Sequence, residues 1–280
     1  MGDKKIIDIR QNKKYAEYLQ RQNWIVEERN EVFYYIKKIL FFSVMKVQRP
    51  EKISYEEIKR LNKKHRAIQV VIEPRSAKEA KELAKNGWQQ TDPFIPSKTI
   101  ILDLTKSEKD IFDSCDKDTR YSIRKSESIS VTQEKDLEKF RKYWKAAVDF
   151  KRHVLSTKQL EDLREVFGKD SLFLISENGI SGGIFLVAGD VGYYWYGFVG
   201  KGGRKKLSQY KVVWQGIKWA KVHGAKYFDM EGIYDARFPL SSWKGFTKFK
   251  KGFGGKEIKF PGAHRKTYIR NSGKMGGRSI

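Results

Sequence analysis

The clearest pattern in the chain is a set of three apolar segments separated by short polar turns. Residues 171–176, 180–187 and 191–198 are rich in Phe, Tyr, Ile, Leu and Val, which favour extended strands. An Asn-Gly pair at 178–179 separates the first two, and this pair tolerates the positive φ angles of a tight hairpin. A Gly-Asp pair at 189–190 separates the last two. The pattern therefore predicts a meander of three antiparallel strands.

Helices and a further strand surround this meander. Residues 137–150 and 156–167 show helical spacing before it, and residues 208–223 show it afterwards, ending at Gly224 as a C-cap. Residues 226–230 form a short apolar segment that can return parallel to the meander. Helices, a meander, a helix and a returning strand occur in this order in the GCN5-related N-acyltransferase (GNAT) fold, which predicts one such unit.

The first half of the chain shows a compatible order, although no sequence repeat links the halves. Its patterns predict helices over 15–24, 54–61, 77–85 and 107–115, and strands over 31–36, 39–47, 67–72 and 99–104. The predicted fold class is therefore α+β, with two GNAT-like domains of mixed, mainly antiparallel sheets flanked by helices. We place the first domain at residues 1–134, with segment 262–280 able to complete it, and the second at residues 135–261.

The charge of the chain indicates a class of partner. Lys and Arg number 58 against 34 Asp and Glu, which gives a net charge of +24. From Lys244 to Ile280 there are eleven Lys and Arg and a single acid, Glu257. A concentrated positive field attracts polyanions, so a nucleic acid or an anionic membrane is the expected partner. A solvated basic tail that only aids solubility is the alternative.

Cysteine and histidine usage and hydropathy exclude several classes. Cys115 is the one cysteine and cannot form an intrachain disulfide, and no pair of the four histidines has a helical metal-ligand spacing. The most apolar run, residues 39–45, is far shorter than the roughly 20 residues of a membrane-spanning helix. The start of the chain does not resemble a secretory signal. We expect a cytoplasmic protein that can also contact the inner face of the membrane.

Four short motifs carry a resemblance to a known family. In chain order they are residues 99–108 (TIILDLTKSE), 119–125 (TRYSIRK), 226–232 (KYFDMEG) and 249–255 (FKKGFGG). Their order and spacing, over about residues 95–260, resemble the FemABX peptidyltransferases. The chain lacks a long helical arm, so it is more similar to the FemX type.

The resemblance implies a cleft between two GNAT-like domains. It also implies transfer of an amino acid from aminoacyl-tRNA to the stem-peptide amine of a peptidoglycan precursor, either UDP-MurNAc-pentapeptide or lipid II. An aminoacyl ester is already activated. The enzyme therefore has to align amine and ester, remove a proton, and stabilise the oxyanion and the departing ribose oxygen. No metal or organic cofactor is implied, and we expect a monomer.

Three residues are candidates for the chemistry. The resemblance places a catalytic lysine beside an aromatic residue, which makes Lys250 the candidate for oxyanion stabilisation, with Phe249 beside it. Asp103, in the first motif, is the candidate proton acceptor. The alternatives are one more cation in a basic stretch and an aspartate that merely ends a strand.

Five residues are candidates for substrate binding. Arg120 and Arg124 are four apart, so on a helix they would share a face able to hold a diphosphate or tRNA phosphates; a solvated face is the alternative. The resemblance implies that Arg204 and Tyr210 contact the UDP-sugar. Lys37 is a further candidate in the N-terminal region.

Two other functions stay open. A GNAT-type N-acyltransferase would use an acyl-CoA donor, but the segment at residues 200–204 does not match the usual acetyl-CoA pattern [QR]-x-x-G-x-[GA]. A non-catalytic RNA-binding protein on the same scaffold would also explain the charge. A hydrolase is not indicated, because no Ser-His-Asp order stands out.

Overall fold

The computed structural model describes residues 7–148 and 153–268. The helices are α1 (Lys13–Arg21), α2 (Tyr55–His65), α3 (Ala77–Lys85), α4 (Glu108–Asp113), α5 (Lys117–Lys125), α6 (Leu137–Ala147), α7 (Thr157–Phe167), α8 (Lys201–Lys206), α9 (Ser208–Val222) and α10 (Lys244–Lys251). The strands are β1 (Ile25–Arg29), β2 (Val32–Ile39), β3 (Phe42–Gln48), β4 (Ala67–Glu73), β5 (Gln89–Thr91), β6 (Lys98–Asp103), β7 (Val131–Gln133), β8 (Ser171–Ser176), β9 (Ser181–Ala188), β10 (Val191–Val199), β11 (Tyr227–Asp229), β12 (Lys256–Lys259) and β13 (Ala263–Thr267).

The first sheet has six strands in the order β1-β2-β3-β4-β13-β5. Among the described strands of this sheet, only β3 and β4 pair in parallel. Alternate residues of these strands, such as Tyr34, Met45 and Val70, are buried in one cluster with Leu61 of α2 and Leu83 of α3. The period-2 alternation of the strands thus meets the apolar stripe of each helix.

The second sheet has seven strands in the order β12-β6-β11-β10-β9-β8-β7. Strands β8, β9 and β10 form the predicted antiparallel meander, and β11 returns parallel to β10 as predicted. At the β8–β9 turn, Asn178 and Gly179 have φ angles of 54° and 63°, which confirms the predicted hairpin turn. One face of the sheet packs on α9 through Phe185 and Ile217, and the other on α6 through Phe173 and Phe140. The predicted α+β class with two mixed sheets is confirmed.

The two sheets exchange strands along the chain. Strand β6 precedes residue 134 but lies in the second sheet, where it joins β11 and β12. Strand β13 lies in the first sheet, between β4 and β5. Strand β13 belongs to the segment 262–280 that was expected to complete the first domain, whereas β6 precedes residue 135 and lies in the second sheet. The domain boundary at 134/135 stays a prediction. Residues 269–280 of the predicted C-terminal segment lie outside the described residues.

Gly216 lets α9 lie close to the second sheet. A Cβ at this position would lie 2.2 Å from the ring of Phe185. In Gly216→Ala we expect overpacking to outweigh the gain in helix propensity, which lowers the free energy of unfolding by about 1–2 kcal/mol. Urea denaturation measures the change. Gly245→Ala in α10 is the control, because nothing lies within 4 Å of its Cβ; equal stability of both variants would contradict the tight contact.

Candidate active site

A cavity of about 1340 Å³ opens beside the second sheet, where the linker from the first sheet crosses it. Most of its lining comes from five segments, within residues 92–97, 194–199, 203–210, 231–240 and 243–250, and Arg10, Trp144 and His153 complete it. The five segments are the linker before β6, the second half of β10, the α8–α9 junction, the loop after β11, and α10. The lining combines main chain, aromatic rings and a few charged side chains, which is the usual make-up of a substrate site.

The cavity forms where β10 and β11 separate. The two strands pair over three residues of each. Beyond this point β10 carries a bulge at Trp195, where its pairing with β9 shifts register, and bulges bend a strand. After Asp229 the chain turns away, with Glu231 at a φ of 57°, a conformation uncommon for a residue other than glycine. The diverging strand ends leave a space between them.

Lys250 lies in the wall of this cavity and is 9% exposed. Its Nζ donates a hydrogen bond of 2.8 Å to the carbonyl oxygen of Gly232. The ammonium also lies 5.4 Å from the ring centroid of Tyr194 and 5.1 Å from that of Phe246, within the range of cation–π attraction. Gly232 has no side chain, and a Cβ there would lie 2.4 Å from the ring of Trp243. The buried cation is thus held by a carbonyl and two ring faces.

Phe249 and Tyr210 join α10 to α9. The ring centroids of Tyr210 and Phe249 are 4.8 Å apart, and each ring also contacts Phe253, at 5.9 Å and 5.3 Å. Arg204 lines the same cavity from α8, with its Nη1 3.0 Å from the carbonyl oxygen of Val199. The structure therefore brings four predicted site residues to one cavity: Lys250, Phe249, Tyr210 and Arg204.

The other four predicted residues do not line this cavity. Asp103 lies at the far end of β6 from the linker, about 13 Å of strand from Thr99. Its carboxylate accepts hydrogen bonds from the backbone and hydroxyl of Thr105, and the hydroxyl bond lowers its pKa. Asp103 caps the turn after β6. This position gives no support to a role as proton acceptor in the cavity.

Arg120, Arg124 and Lys37 lie on other surfaces. Arg120 and Arg124 share one face of α5, as predicted, and Arg120 donates to the carbonyl oxygens of Asp113 and Cys115. Arg124 is exposed, with its guanidinium 5.1 Å from the ring centroid of Phe112. Lys37 lies on β2, where its Nζ donates to the carbonyl oxygens of residues 22 and 23 after α1.

A chain of buried ion pairs runs from the cavity wall, at Glu231 and Arg10, into the interior, and was not anticipated from the sequence. Arg10 donates to both carboxylate oxygens of Glu231, at 3.1 and 3.0 Å, and contacts Asp8 at 3.2 Å. The other oxygen of Asp8 accepts from Arg49 at 2.7 Å. Arg49 also donates to the carbonyl oxygen of Pro96 in the linker. These contacts join the N-terminal segment, β3, the linker and the loop after β11.

The ion pairs set the charge state of Asp8. Burial raises its pKa, but the charges of Arg10 and Arg49 outweigh burial and hold the pKa at about 2. Asp8 is therefore ionised at neutral pH, and each arginine contacts at least one carboxylate. Buried charges are tolerated only when they are paired and hydrogen-bonded in this way.

The pKa of Asp229 is shifted in the opposite direction from that of Asp8. It is fully buried at the end of β11, where burial first, and then the charge of nearby Glu231, raises its pKa to about 7. Its Oδ1 accepts hydrogen bonds from the Thr99 hydroxyl and, at 2.7 Å, from the backbone N–H of Glu231. The same Thr99 hydroxyl lies 2.9 Å from the carbonyl oxygen of Glu231. Asp229 therefore fixes the turn that presents Glu231 to the cavity.

Glu231, Asp229 and Gln209 are residues of this region that sequence reasoning did not single out. Glu231 lines the cavity, and Asp229 lies two residues before it; both stand in the motif KYFDMEG, so that motif carried the signal. Gln209 also lines the cavity, and its amide nitrogen donates a hydrogen bond of 2.6 Å to the hydroxyl of Tyr194. Arg10 had no local signal, because its partners are distant in sequence.

Two properties of the described part of the chain bear on the expected function classes. Residues 7–148 and 153–268 contain no group of three His, Cys, Asp or Glu side chains placed to hold a metal ion. Among the same residues, no helix combines the length and the apolarity that are needed to cross a bilayer.

Comparison with known proteins identifies the fold. No protein-family model and no curated protein sequence matches the chain. The crystal structure of FemX matches with a TM-score of 0.77 at 16% identity, over 93% of this chain and 92% of FemX. This chain has the FemX fold. The predicted resemblance to the FemX type is thus confirmed at the level of structure.

Two other solved structures also match this chain over most of its length. L-PGS from Bacillus licheniformis matches with a TM-score of 0.59 at 11% identity, over 96% of each chain. A tandem GNAT protein from the clavulanic acid biosynthesis pathway matches with a TM-score of 0.56 at 10% identity, over 86% of this chain and 79% of its own. Because these identities and that of FemX are low, the likeness establishes the fold and not the reaction.

The raised pKa of Asp229 gives a testable pH dependence. A folded-state pKa above the unfolded value of about 4 contributes stability that is complete below that pH and is lost as pH rises to about 7. Asp229→Asn keeps a neutral isostere and removes this titration. We expect the wild type to lose up to about 1.4 kcal/mol per pH unit relative to the variant between pH 4 and 7. Parallel urea-denaturation profiles across this range would contradict the assignment.

Proposed function

We propose that this chain is an aminoacyltransferase that moves an amino acid from aminoacyl-tRNA to the stem-peptide amine of a peptidoglycan precursor. The observation that carries the proposal is the buried ammonium of Lys250 in the wall of a large cavity, within the FemX fold. The matching segment FKKGFGG supplies this lysine at the position that the family resemblance implies.

The chemistry requires no enzyme nucleophile. The acceptor amine attacks the ester carbonyl, the C–O bond to the ribose breaks, and the proton lost by the amine ends on the departing ribose hydroxyl. Lys250 can donate a hydrogen bond to the oxyanion and to that departing oxygen, where charge develops. A covalent route through Cys115 is disfavoured, because this thiol is buried away from the cavity and burial raises its pKa to about 12.

The cavity has room for two substrates. Its volume of about 1340 Å³ exceeds the roughly 300–1,000 Å³ of a single small-molecule site. Arg204 and Tyr210 line one side of it, so we assign both to the precursor. The Arg204 guanidinium binds its diphosphate, and the Tyr210 ring packs against an apolar face of the same substrate. The aminoacyl ester then approaches Lys250 from the remaining opening.

The donor is assigned by charge. With a net charge of +24, the chain attracts a polyanion such as tRNA. Arg124 is exposed on α5 outside the cavity. We therefore assign it to tRNA phosphates and not to the reacting groups. The tandem GNAT neighbour gives some support to an acyl-CoA donor, and one assay can compare both donors.

The assay incubates the protein with charged tRNA and either UDP-MurNAc-pentapeptide or lipid II, and measures the mass of the product. An added aminoacyl residue supports the proposal. Transfer only from acyl-CoA would replace it with the N-acyltransferase. No transfer from either donor, together with tight RNA binding, would replace it with an RNA-binding protein.

Lys250→Ala tests the proposed catalytic group. We expect kcat to fall about 100- to 1,000-fold, the usual loss for one oxyanion donor, while precursor binding by calorimetry stays largely intact. Lys248→Ala is the matched control, because Lys248 is exposed on the same helix. Full activity in Lys250→Ala would refute the role of this lysine.

Arg204→Ala and Arg124→Ala separate the two substrates. We expect Arg204→Ala to raise KM for the precursor without changing the salt dependence of tRNA binding. We expect Arg124→Ala to weaken tRNA binding and reduce its salt slope by about one. Lys85→Ala, an exposed cation on α3, controls for net charge. If the two arginine variants showed the same phenotype, the assignment of separate surfaces would fail.

A further inference from the structure

The tip of the β2–β3 hairpin exposes four consecutive large apolar side chains. The exposed fractions of Ile39, Leu40, Phe41 and Phe42 are 52%, 91%, 86% and 48%. Exposed apolar residues that occur singly are normal on a protein surface. A contiguous apolar run at a protruding tip instead marks an interaction site.

The turn chemistry indicates that these residues do not serve the fold. Ile39 pairs with Phe42, so Leu40 and Phe41 form a two-residue turn. Leu40 has a φ of 52°, in the left-handed region where Asn and Gly are favoured and leucine is not. The two-residue turns between β1 and β2 and between β9 and β10 instead place Asn30 and Gly189 at their first positions, each with a positive φ. The apolar pair at this turn therefore carries a folding cost that function has to explain.

Basic side chains surround the tip. Lys38 is exposed near the end of β2 that leads to the tip, and Lys63 and Arg66 are exposed at the end of α2. The end of α2 lies beside the tip, because Ser43 donates hydrogen bonds to the carbonyl oxygens of residues 65 and 66. An apolar apex with cations set behind it matches the boundary between acyl chains and anionic headgroups.

We infer that this hairpin tip docks the protein on an anionic membrane, with Leu40 and Phe41 inserted between lipid headgroups. The charge favours a bilayer over a second copy of the chain, since two copies at +24 repel each other. The apolar side chains also distinguish the tip from an RNA-binding surface, because a phosphate backbone makes no favourable contact with exposed leucine and phenylalanine.

The docked orientation places the cavity near the membrane surface. Strand β3 runs from the tip to Gln48, about 20 Å away. Between the tip and Gln48, the ring centroid of Trp24 lies 5.6 Å from Lys37 Nζ and 5.3 Å from Lys46 Nζ. Lys46 Nζ also lies 4.4 Å from the ring centroid of Phe94. Phe94 lines the large cavity. A row of cations and rings thus connects the tip to the cavity, in which the proposed function assigns Arg204 to the diphosphate of the acceptor.

The test uses the intact protein and vesicles without any cell-wall precursor, so its outcome is independent of the proposed reaction. Binding is measured by co-sedimentation with vesicles of phosphatidylglycerol and phosphatidylcholine. Leu40→Asn/Phe41→Gly replaces the tip by a turn that the hairpin favours, so thermal stability should be at least that of the wild type. We expect binding to fall about 100-fold or more, because each buried Leu or Phe side chain contributes about tenfold.

Two controls separate the apolar and electrostatic contributions. Val222→Ser removes an apolar side chain that is 84% exposed at the end of α9, and should bind vesicles as the wild type does. Lys38→Glu/Lys63→Glu should bind mixed vesicles more weakly than Lys135→Glu/Lys169→Glu. The second variant makes the same change in net charge at exposed lysines beside the second sheet, away from the tip.

Two results would overturn the inference. One is unchanged vesicle binding by Leu40→Asn/Phe41→Gly, which would show that charge alone holds the protein to the membrane. The other is a wild type that does not bind the vesicles but forms dimers in sedimentation velocity that the same variant abolishes. The tip would then be an interface between copies of the chain.

Discussion

The site depends on one buried chain of charges, from Glu231 through Arg10 and Asp8 to Arg49. These residues come from three separate segments, and Arg49 also binds the carbonyl oxygen of Pro96 in the linker. A carboxylate or guanidinium left without its partner in this interior would cost several kcal/mol. The segments are therefore fixed relative to one another, because each ion finds its partner in only one arrangement. Apolar packing alone would stabilise each sheet but would tolerate small shifts between the sheets. The ion pairs thus define the position of the linker and of Glu231 at the cavity.

The same constraint accounts for the division of roles in the loop after β11. Asp229, behind the loop, is hydrogen-bonded and favours its neutral form, whereas Glu231, two residues later, accepts from Arg10. Their carboxylates are close, and separating them into one neutral and one paired group avoids two adjacent negative charges in a buried place. Gly232 then offers its carbonyl oxygen to Lys250. The loop therefore links the buried chain of charges to the ammonium in the cavity wall.

The sequence predicted the parts of the fold that are local. The meander of β8, β9 and β10, its Asn-Gly turn and the parallel return of β11 follow from short-range alternation and turn chemistry. Segment 262–280 was expected to complete the first domain, but the strand β13 within it was not predicted, because Ala263–Thr267 has no apolar alternation and is defined by pairing with strands far away in sequence. In the site, Lys250 could be found because a motif contains it, and Arg204 and Tyr210 because the family resemblance points to them; the fold brings both to the cavity on α8 and α9. Asp103 was chosen from its motif alone, but the direction of β6 carries it away from the cavity.

The placement of β13 has a consequence for synthesis of the protein. Among the strands that the structure describes, β5 pairs only with β13, and β4 has β13 as its neighbour on that side. The N-terminal sheet can therefore be completed only after residue 267 has left the ribosome, when the second sheet is already available to fold. Until then β4 presents an unpaired edge to other nascent chains. The half that is translated first is the half that finishes folding last.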